Sequence, residues 1–330
     1  MKDKQLTMQD IADLAGVGKS TVSRYFNGGY VKEETRRKLK EIIEKVDYTP
    51  NTIAQSLKAT KTKTIGIVAP CLDSITSSRV MMALDEYVRN EGYVTIIINT
   101  NHNEMRELTS IEHVWKMNVD AIVLIATNIT EAHRQLTHKI DVPMLFIGQV
   151  FSDGYSIVND DYHAGFDMGE YVAKKGHMDI TYVGVNASDR AVGIERKKGV
   201  MDGLQAHGVS SIDTIETDFT FTHSQGVISA YLKKHIPSVF ICATDTIALA
   251  CYKEVQALQL KVPEDISIVG FGGYESSSVI TPSLCTVRFD NEIAGKIAGE
   301  TIIKWINGEK IPKMQSVGYT IIEGESVQSI

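Results

Sequence analysis

Ile65-Gly66-Ile67-Val68-Ala69, Val94-Thr95-Ile96-Ile97-Ile98, Ala121-Ile122-Val123-Leu124-Ile125 and Met144-Leu145-Phe146-Ile147-Gly148 follow one another along this chain, each separated from the next by a stretch long enough for a helix. Near-continuous apolar strands that alternate with helices point to a parallel sheet covered on both faces. A second set repeats the pattern: Ile180-Thr181-Tyr182-Val183-Gly184, Ser238-Val239-Phe240-Ile241-Cys242 and Ile266-Ser267-Ile268-Val269-Gly270. Residues 64–330 therefore read as an α/β body of two similar lobes. The length of 330 residues leaves room for more than that body, being about twice a typical domain.

In open parallel sheets a ligand binds beyond the carboxyl ends of the strands, and two facing lobes place those ends around a common cleft. Polar residues gather there: Asp73 and Ser74 after the first strand, Gln149 after the fourth, Asp189 after the first strand of the second set, then Thr244 and Asp245. Carboxylates, amides and hydroxyls set in an apolar wall suit a sugar, whose hydroxyls both donate and accept hydrogen bonds.

The net charge of −7 argues against a nucleic-acid partner until the chain is divided. Before Thr64 there are 13 Lys and Arg against 8 Asp and Glu, a balance of +5; the rest carries 21 against 33, or −12. A basic head on an acidic body suggests an anion-binding module at the front. Thr7-Met8-Gln9-Asp10 resembles a capping box with Asp in place of Glu, so a helix is predicted from Met8, with Ile11, Leu14 and Ala15 inward and Gly16 ending it. A second helix is predicted from about Lys19 to Asn27, with Val22 and Phe26 inward beside Val17. A third carries Leu39, Ile42, Ile43 and Val46. Two short helices joined by a glycine-containing turn match an all-α helix-turn-helix, whose second helix enters the DNA major groove. Gly16-Val17-Gly18-Lys19-Ser20-Thr21 mimics the end of a phosphate-binding loop, but residue 13 is Asp where the first glycine belongs. Thr49-Pro50 starts a further nine-residue helix, too short to be stable alone and expected to order on its target.

Met8-Gln9-Asp10-Ile11-Ala12, Ala15-Gly16-Val17, Ser20-Thr21-Val22-Ser23-Arg24 and Tyr48-Thr49-Pro50-Asn51 resemble the DNA-binding head of the LacI/GalR family of bacterial regulators. The resemblance implies a homodimer on double-stranded operator DNA, with Lys19, Ser20 and Arg24 at base-reading positions. Thr21, Ser23, Asn27 and Asn51 would contact phosphates, and Leu57, with Ala54 on the same face, would wedge into the minor groove from a hinge helix. It extends through the body as a two-lobed, periplasmic-binding-protein-like fold. There Arg196 falls on the family's effector-binding arginine, Phe219 on an aromatic that stacks on the ligand, Asp245 in the segment where members have Asn-Asp, and Asp161 near the crossover between lobes. Gly272-Gly273 stands where many members have an Asp pair, and Tyr274 or Glu275 is the expected replacement. Leu72-Asp73-Ser74, Asp160-Asp161-Tyr162-His163-Ala164-Gly165 and the segment from Ser188-Asp189 to Arg196 resemble disaccharide-operon repressors of Gram-positive bacteria, of sucrose and trehalose type. If the sugar is phosphorylated, Arg79, Arg190 or Arg196 would meet the phosphate.

Three parts are thus expected: a head over 1–48, a hinge helix and linker over 49–63, and an effector-binding and dimerisation body over 64–330. The nine histidines form no H-x-x-x-H or H-E-x-x-H pattern, and Cys71, Cys242, Cys251 and Cys285 form no C-x-x-C pair, so neither a metal nor a disulfide framework is expected. Gly270-Phe271-Gly272-Gly273 lacks the third glycine of a dinucleotide site and no nucleophile elbow is present, so no cofactor and no enzyme activity are expected. The N-terminal residues lack an apolar signal core, no run approaches the ~18 residues of a membrane span, and a cytoplasmic location without membrane contact is expected. A leucine heptad tail after Ile321-Ile322-Glu323 is missing, which favours a dimer over a tetramer. The expected function is repression of a sugar-utilisation operon, relieved by a sugar or sugar phosphate. The alternatives are a catabolite-type regulator that uses a phosphoprotein corepressor, or a sugar-binding transport protein.

Overall fold

The computed structural model of the protein describes residues 6–26, 28–48 and 61–330. The chain divides into two compact units, Met1–Thr62 and Lys63–Ile330. Asn27 and the expected hinge helix, with Asn51, Ala54 and Leu57, lie outside the described residues.

In the first unit α1 (Met8–Ala15) starts at Thr7, whose hydroxyl accepts the Asp10 N–H while the Asp10 carboxylate accepts the Thr7 N–H at 2.7 Å. Such a cap contributes about 1 kcal/mol to a helix of only two turns. Gly16 ends it in the left-handed conformation, at φ 64°, and α2 (Lys19–Phe26) follows. The inward stripe of α1 is Ile11, Ala12 and Ala15; Leu14, expected inside, is 55% exposed. Ala12 takes the inward place because its carbonyl and side chain lie on the flank where Gly16 and Val17 fold back, with the Val17 N–H donating to Ala12. Val22 and Leu39, the latter from α3 (Glu33–Lys45), complete the buried centre with Tyr48.

The second unit contains two six-stranded sheets. In the first lobe β1 (Thr64–Ala69), β2 (Val94–Asn99), β3 (Ala121–Ile125), β4 (Met144–Ile147), β5 (Tyr155–Asn159) and β11 (Met314–Val317) are parallel, in the order β11-β5-β4-β3-β1-β2. Strand alternation divides the apolar runs between two cores. Ile65, Ile67, Ala121 and Val123 pack under α4 (Ile75–Asn90) and α12 (Asn291–Ile306). Val68, Ile122 and Leu124 pack on the other face under α5 (Glu104–Lys116) and α6 (Glu131–Lys139).

The second lobe repeats the plan with β6 (Ile180–Val185), β7 (Ile212–Thr217), β8 (Val239–Cys242), β9 (Ser267–Phe271), β10 (Cys285–Phe289) and β12 (Tyr319–Ile322), in the order β12-β10-β9-β8-β6-β7. One strand departs from the all-parallel expectation: β12 runs antiparallel to β10, with Val287 opposite Ile321. It arrives directly from β11 across the lobe boundary, with no helix to turn it round. The flanking helices are α7 (Asp161–Lys174), α8 (Lys197–Gln205), α9 (Phe221–Leu232), α10 (Asp245–Ala257) and the short α11 (Glu275–Val279). The chain crosses between lobes at Asp160, Asp290 and Gly318, and the Asp160 and Asp290 N–H groups donate to the Val317 and Gly318 carbonyls. These three adjacent crossings are the natural axis for one lobe to turn on the other.

Candidate functional site

Each unit carries its own candidate surface. On α2 the buried Val22 fixes which way the helix faces, and Lys19, Ser20 and Arg24 are left exposed on it, with Thr21 and Ser23 half-buried beside them. Cationic and hydroxyl side chains exposed at the start of a helix-turn-helix second helix are suited to base edges and phosphates.

In the body a cleft of about 600 Å³ opens between the carboxyl ends of the two sheets. Asp73, Ser74, Gln149, Asp161, Asp189, Arg196, Phe219 and Thr244 all line it. At its floor Arg196 is buried and donates from Nε to Asp161 at 2.9 Å and from Nη1 to the Ala243 carbonyl at 2.6 Å. Its guanidinium lies 5.0 and 4.9 Å from the ring centres of Phe271 and Phe289, so the cation meets two aromatic rings. The turn that delivers it, Arg190–Arg196, is π-helical, a wide turn that is frequent at functional sites. Asp189 caps that turn, accepting the Val192 N–H, and the same oxygen accepts Gln149 Nε2 at 3.1 Å from the other lobe. Burial pushes the Asp189 carboxyl above its ordinary range, against the pull of those two hydrogen bonds.

Asp245 does not join the cleft. It is the first residue of α10, fully buried, and accepts from Thr286 Oγ1 at 2.5 Å, Ser277 Oγ at 2.7 Å and the Tyr274 N–H at 3.1 Å. Its place is structural: it ties α10 to the Gly272–Gly273 loop, and its neighbour Thr244, the N-cap, faces the cavity instead. Asp245 turns towards Tyr274, Ser277 and Thr286, which take up its carboxylate. Of the two replacements expected at the Gly-Gly loop, Tyr274 lines the cleft and Glu275 does not. The Tyr274 ring lies over Gly272, where any Cβ would stand 2.7 Å from it, and Thr76 of the other lobe shares the cleft wall with it. Arg79 and Arg190 do not line the cleft, and Arg190 turns to Glu195. Sequence reasoning missed Asn101, His102 and Thr127 on the wall. They follow β2 and β3, so the strand-end rule that nominated Asp73 and Gln149 applies to them equally.

Among the described residues no group of three His, Cys, Asp or Glu side chains is placed to hold a metal ion, and no helix is long and apolar enough to cross a membrane.

A basic helix-turn-helix joined to a two-lobed body with a polar cleft defines a DNA-binding regulator that responds to a small molecule. Residues 7–51 match the family described as bacterial regulatory proteins, lacI family, and residues 170–327 match the periplasmic binding protein-like domain. The chain is 36% identical over 303 residues to the sucrose operon repressor of Staphylococcus xylosus, covering 92% of this chain and 94% of that protein. It is 28% identical to catabolite control protein A of Priestia megaterium, over 93% and 94% of the two chains. The lac repressor dimer bound to operator and the anti-inducer ONPF has the same fold, with a TM-score of 0.91, 22% identity, and coverage of 98% of this chain and 100% of that one. This chain belongs to the LacI family of bacterial regulatory proteins.

Proposed function

We propose that this protein is a cytoplasmic, homodimeric repressor of a sugar-utilisation operon, of the kind its sucrose-repressor relative represents, and that a saccharide in the cleft releases it from its operator. The observation that carries this reading is the joining, in one chain, of an exposed Lys19-Ser20-Arg24 face with a cleft whose floor is the Arg196–Asp161 pair. Asp161 opens α7 directly after the Asp160 crossing, so a ligand that touches it acts on the axis between the lobes. The Gln149–Asp189 hydrogen bond spans the cleft and makes or breaks with lobe rotation.

Lys19, Ser20 and Arg24 read bases in this proposal, Thr21, Ser23, Asn27 and Asn51 hold phosphates, and Ala54 and Leu57 act from the hinge of a chain parted into 1–48, 49–63 and 64–330. Edge strand β2 leaves Val94 and Ile97 exposed, which supports pairing of first lobes across a dimer. The protein is a regulator and not an enzyme: Asp161 is committed to Arg196, and Asp189 to Val192 and Gln149, which suits holding a ligand rather than moving its protons.

The test is a titration on DNA selected by the protein from a random pool. Saturating sucrose is expected to weaken DNA binding by about 5–150-fold, and by linkage the DNA weakens sucrose binding by the same factor. Equal DNA affinity with and without every saccharide tried rejects induction. In the same assay Arg24→Ala is expected to lose about 1–3 kcal/mol of discrimination at one base pair. An equal loss on selected and random DNA would show that Arg24 touches backbone only.

A further inference from the structure

The charged groups lining the cleft are unequal in sign. Asp73, Asp161 and Asp189 supply three carboxyl groups, against the single guanidinium of Arg196. Among the described residues no lysine lines the wall, and the three carboxyl groups outnumber Arg196 and His102 together.

Arg196 is not free to act as a counter-ion. Nε and Nη2 donate to Asp161, Nη1 donates to the Ala243 carbonyl, and the rings of Phe271 and Phe289 lie 5.0 and 4.9 Å from it. Of the five N–H groups of an arginine, two are left over, one on each terminal nitrogen, and they suit neutral hydroxyl acceptors. The starts of α4, α9 and α10 also reach the cavity at Ser74, Thr220 and Thr244, each a potential anion site. All three are already capped: Ser74 takes the Ser77 N–H, Thr220 the His223 N–H and Thr244 the Ile247 N–H. Asp189 keeps one carboxylate oxygen without a hydrogen bond among the described residues, an acceptor for a ligand hydroxyl and a repulsive neighbour for an anion.

Resting on the reading of this cleft as a sugar site, we propose that its ligand is a neutral saccharide and that the cleft rejects the phosphate ester of the same sugar. A phosphate monoester brings close to two negative charges near neutral pH. In a partly buried site that already holds excess carboxylate, such a charge needs a cation the wall does not supply.

Calorimetric titration of the full chain with sucrose, trehalose and maltose, each beside its 6-phosphate, tests this. One neutral sugar is expected to bind at least about tenfold more tightly than its phosphate, a difference of 1.4 kcal/mol. Asp73→Asn, which removes an exposed carboxylate from the wall, is expected to narrow that ratio about threefold. A phosphate that binds as tightly as its parent sugar overturns the inference and leaves the sugar-site reading standing. Failure of all six compounds to bind overturns both. A ratio unchanged in Asp73→Asn overturns the electrostatic cause.

Discussion

Arg196→Leu is expected to lower the unfolding free energy of the body by about 3–5 kcal/mol and to abolish saccharide binding. The magnitude follows from what is left behind: Asp161 is 6% exposed, and without its partner it is a buried, uncompensated carboxylate. The Ala243 carbonyl also loses its donor, and Phe271 and Phe289 lose the cation beside their rings. Arg196→Lys keeps the charge, but one ammonium cannot place two donors on Asp161 and a third on Ala243, so it recovers only part of the loss. The double variant Arg196→Leu with Asp161→Leu separates charge stranding from loss of packing. With no charge left unpaired it is expected to be more stable than Arg196→Leu alone, although neither binds sugar. Urea midpoints read by circular dichroism decide it. A single variant that unfolds with the unaltered protein, or a double variant no better than the single, contradicts the assignment of this pair as the buried anchor of the cleft.

The same pair marks how far the chain could be read in advance. Strands β1, β3, β4, β6, β8 and β9 are legible because both their faces are covered, which writes them as unbroken apolar runs. Edge strand β7, Ile212-Asp213-Thr214-Ile215-Glu216-Thr217, carries only two apolar residues, and β5, β10, β11 and β12 break their runs with polar or half-exposed positions. Their pairing is decided by which strands lie beside them in the folded sheet, which no local run records. The cleft residues are legible where a polar side chain follows an apolar run. Asp245 shows the limit: position nominates the segment, but the partners that take its carboxylate, Tyr274, Ser277 and Thr286, lie 29 to 41 residues away in sequence and decide that it turns from the cavity. Leu14 fails for a related reason, since helical spacing alone does not say where the next helix docks.

One packing device governs whether Arg196 and Asp161 meet, and its two Gly-x-x-x-Gly spacings do not by themselves say which helices they join. Helices α7 and α8 cross with Gly165 and Gly169 on one and Gly199 and Gly203 on the other, spaced so that each pair shares a face. A Cβ at Gly199 would stand 2.0 Å from the Tyr162 carbonyl oxygen, at Gly203 2.1 Å from that of Phe166, and at Gly165 2.3 Å from that of Arg196. These obstacles are backbone atoms, so no side chain can turn aside; the helices would have to part. Alanine is the better helix former by about 1 kcal/mol, which alone predicts that Gly199→Ala stabilises. Overpacking against a fixed neighbour typically costs about 1–3 kcal/mol and here falls at or above the top of that range. Gly199→Ala is therefore expected to lower stability by about 2 kcal/mol net. Because α8 begins one residue after Arg196 and α7 begins at Asp161, parting the helices stretches the 2.9 Å contact between them, and saccharide affinity falls with stability. Gly226→Ala is the control: Gly226 lies within α9 with nothing within 4 Å of its added Cβ, so the same chemical change is expected to raise stability by about 1 kcal/mol and leave binding alone. Thermal unfolding of the two variants with and without bound sugar measures both signs, and a Gly199→Ala protein as stable and as sugar-responsive as Gly226→Ala would mean that the two helices do not hold the ion pair in place.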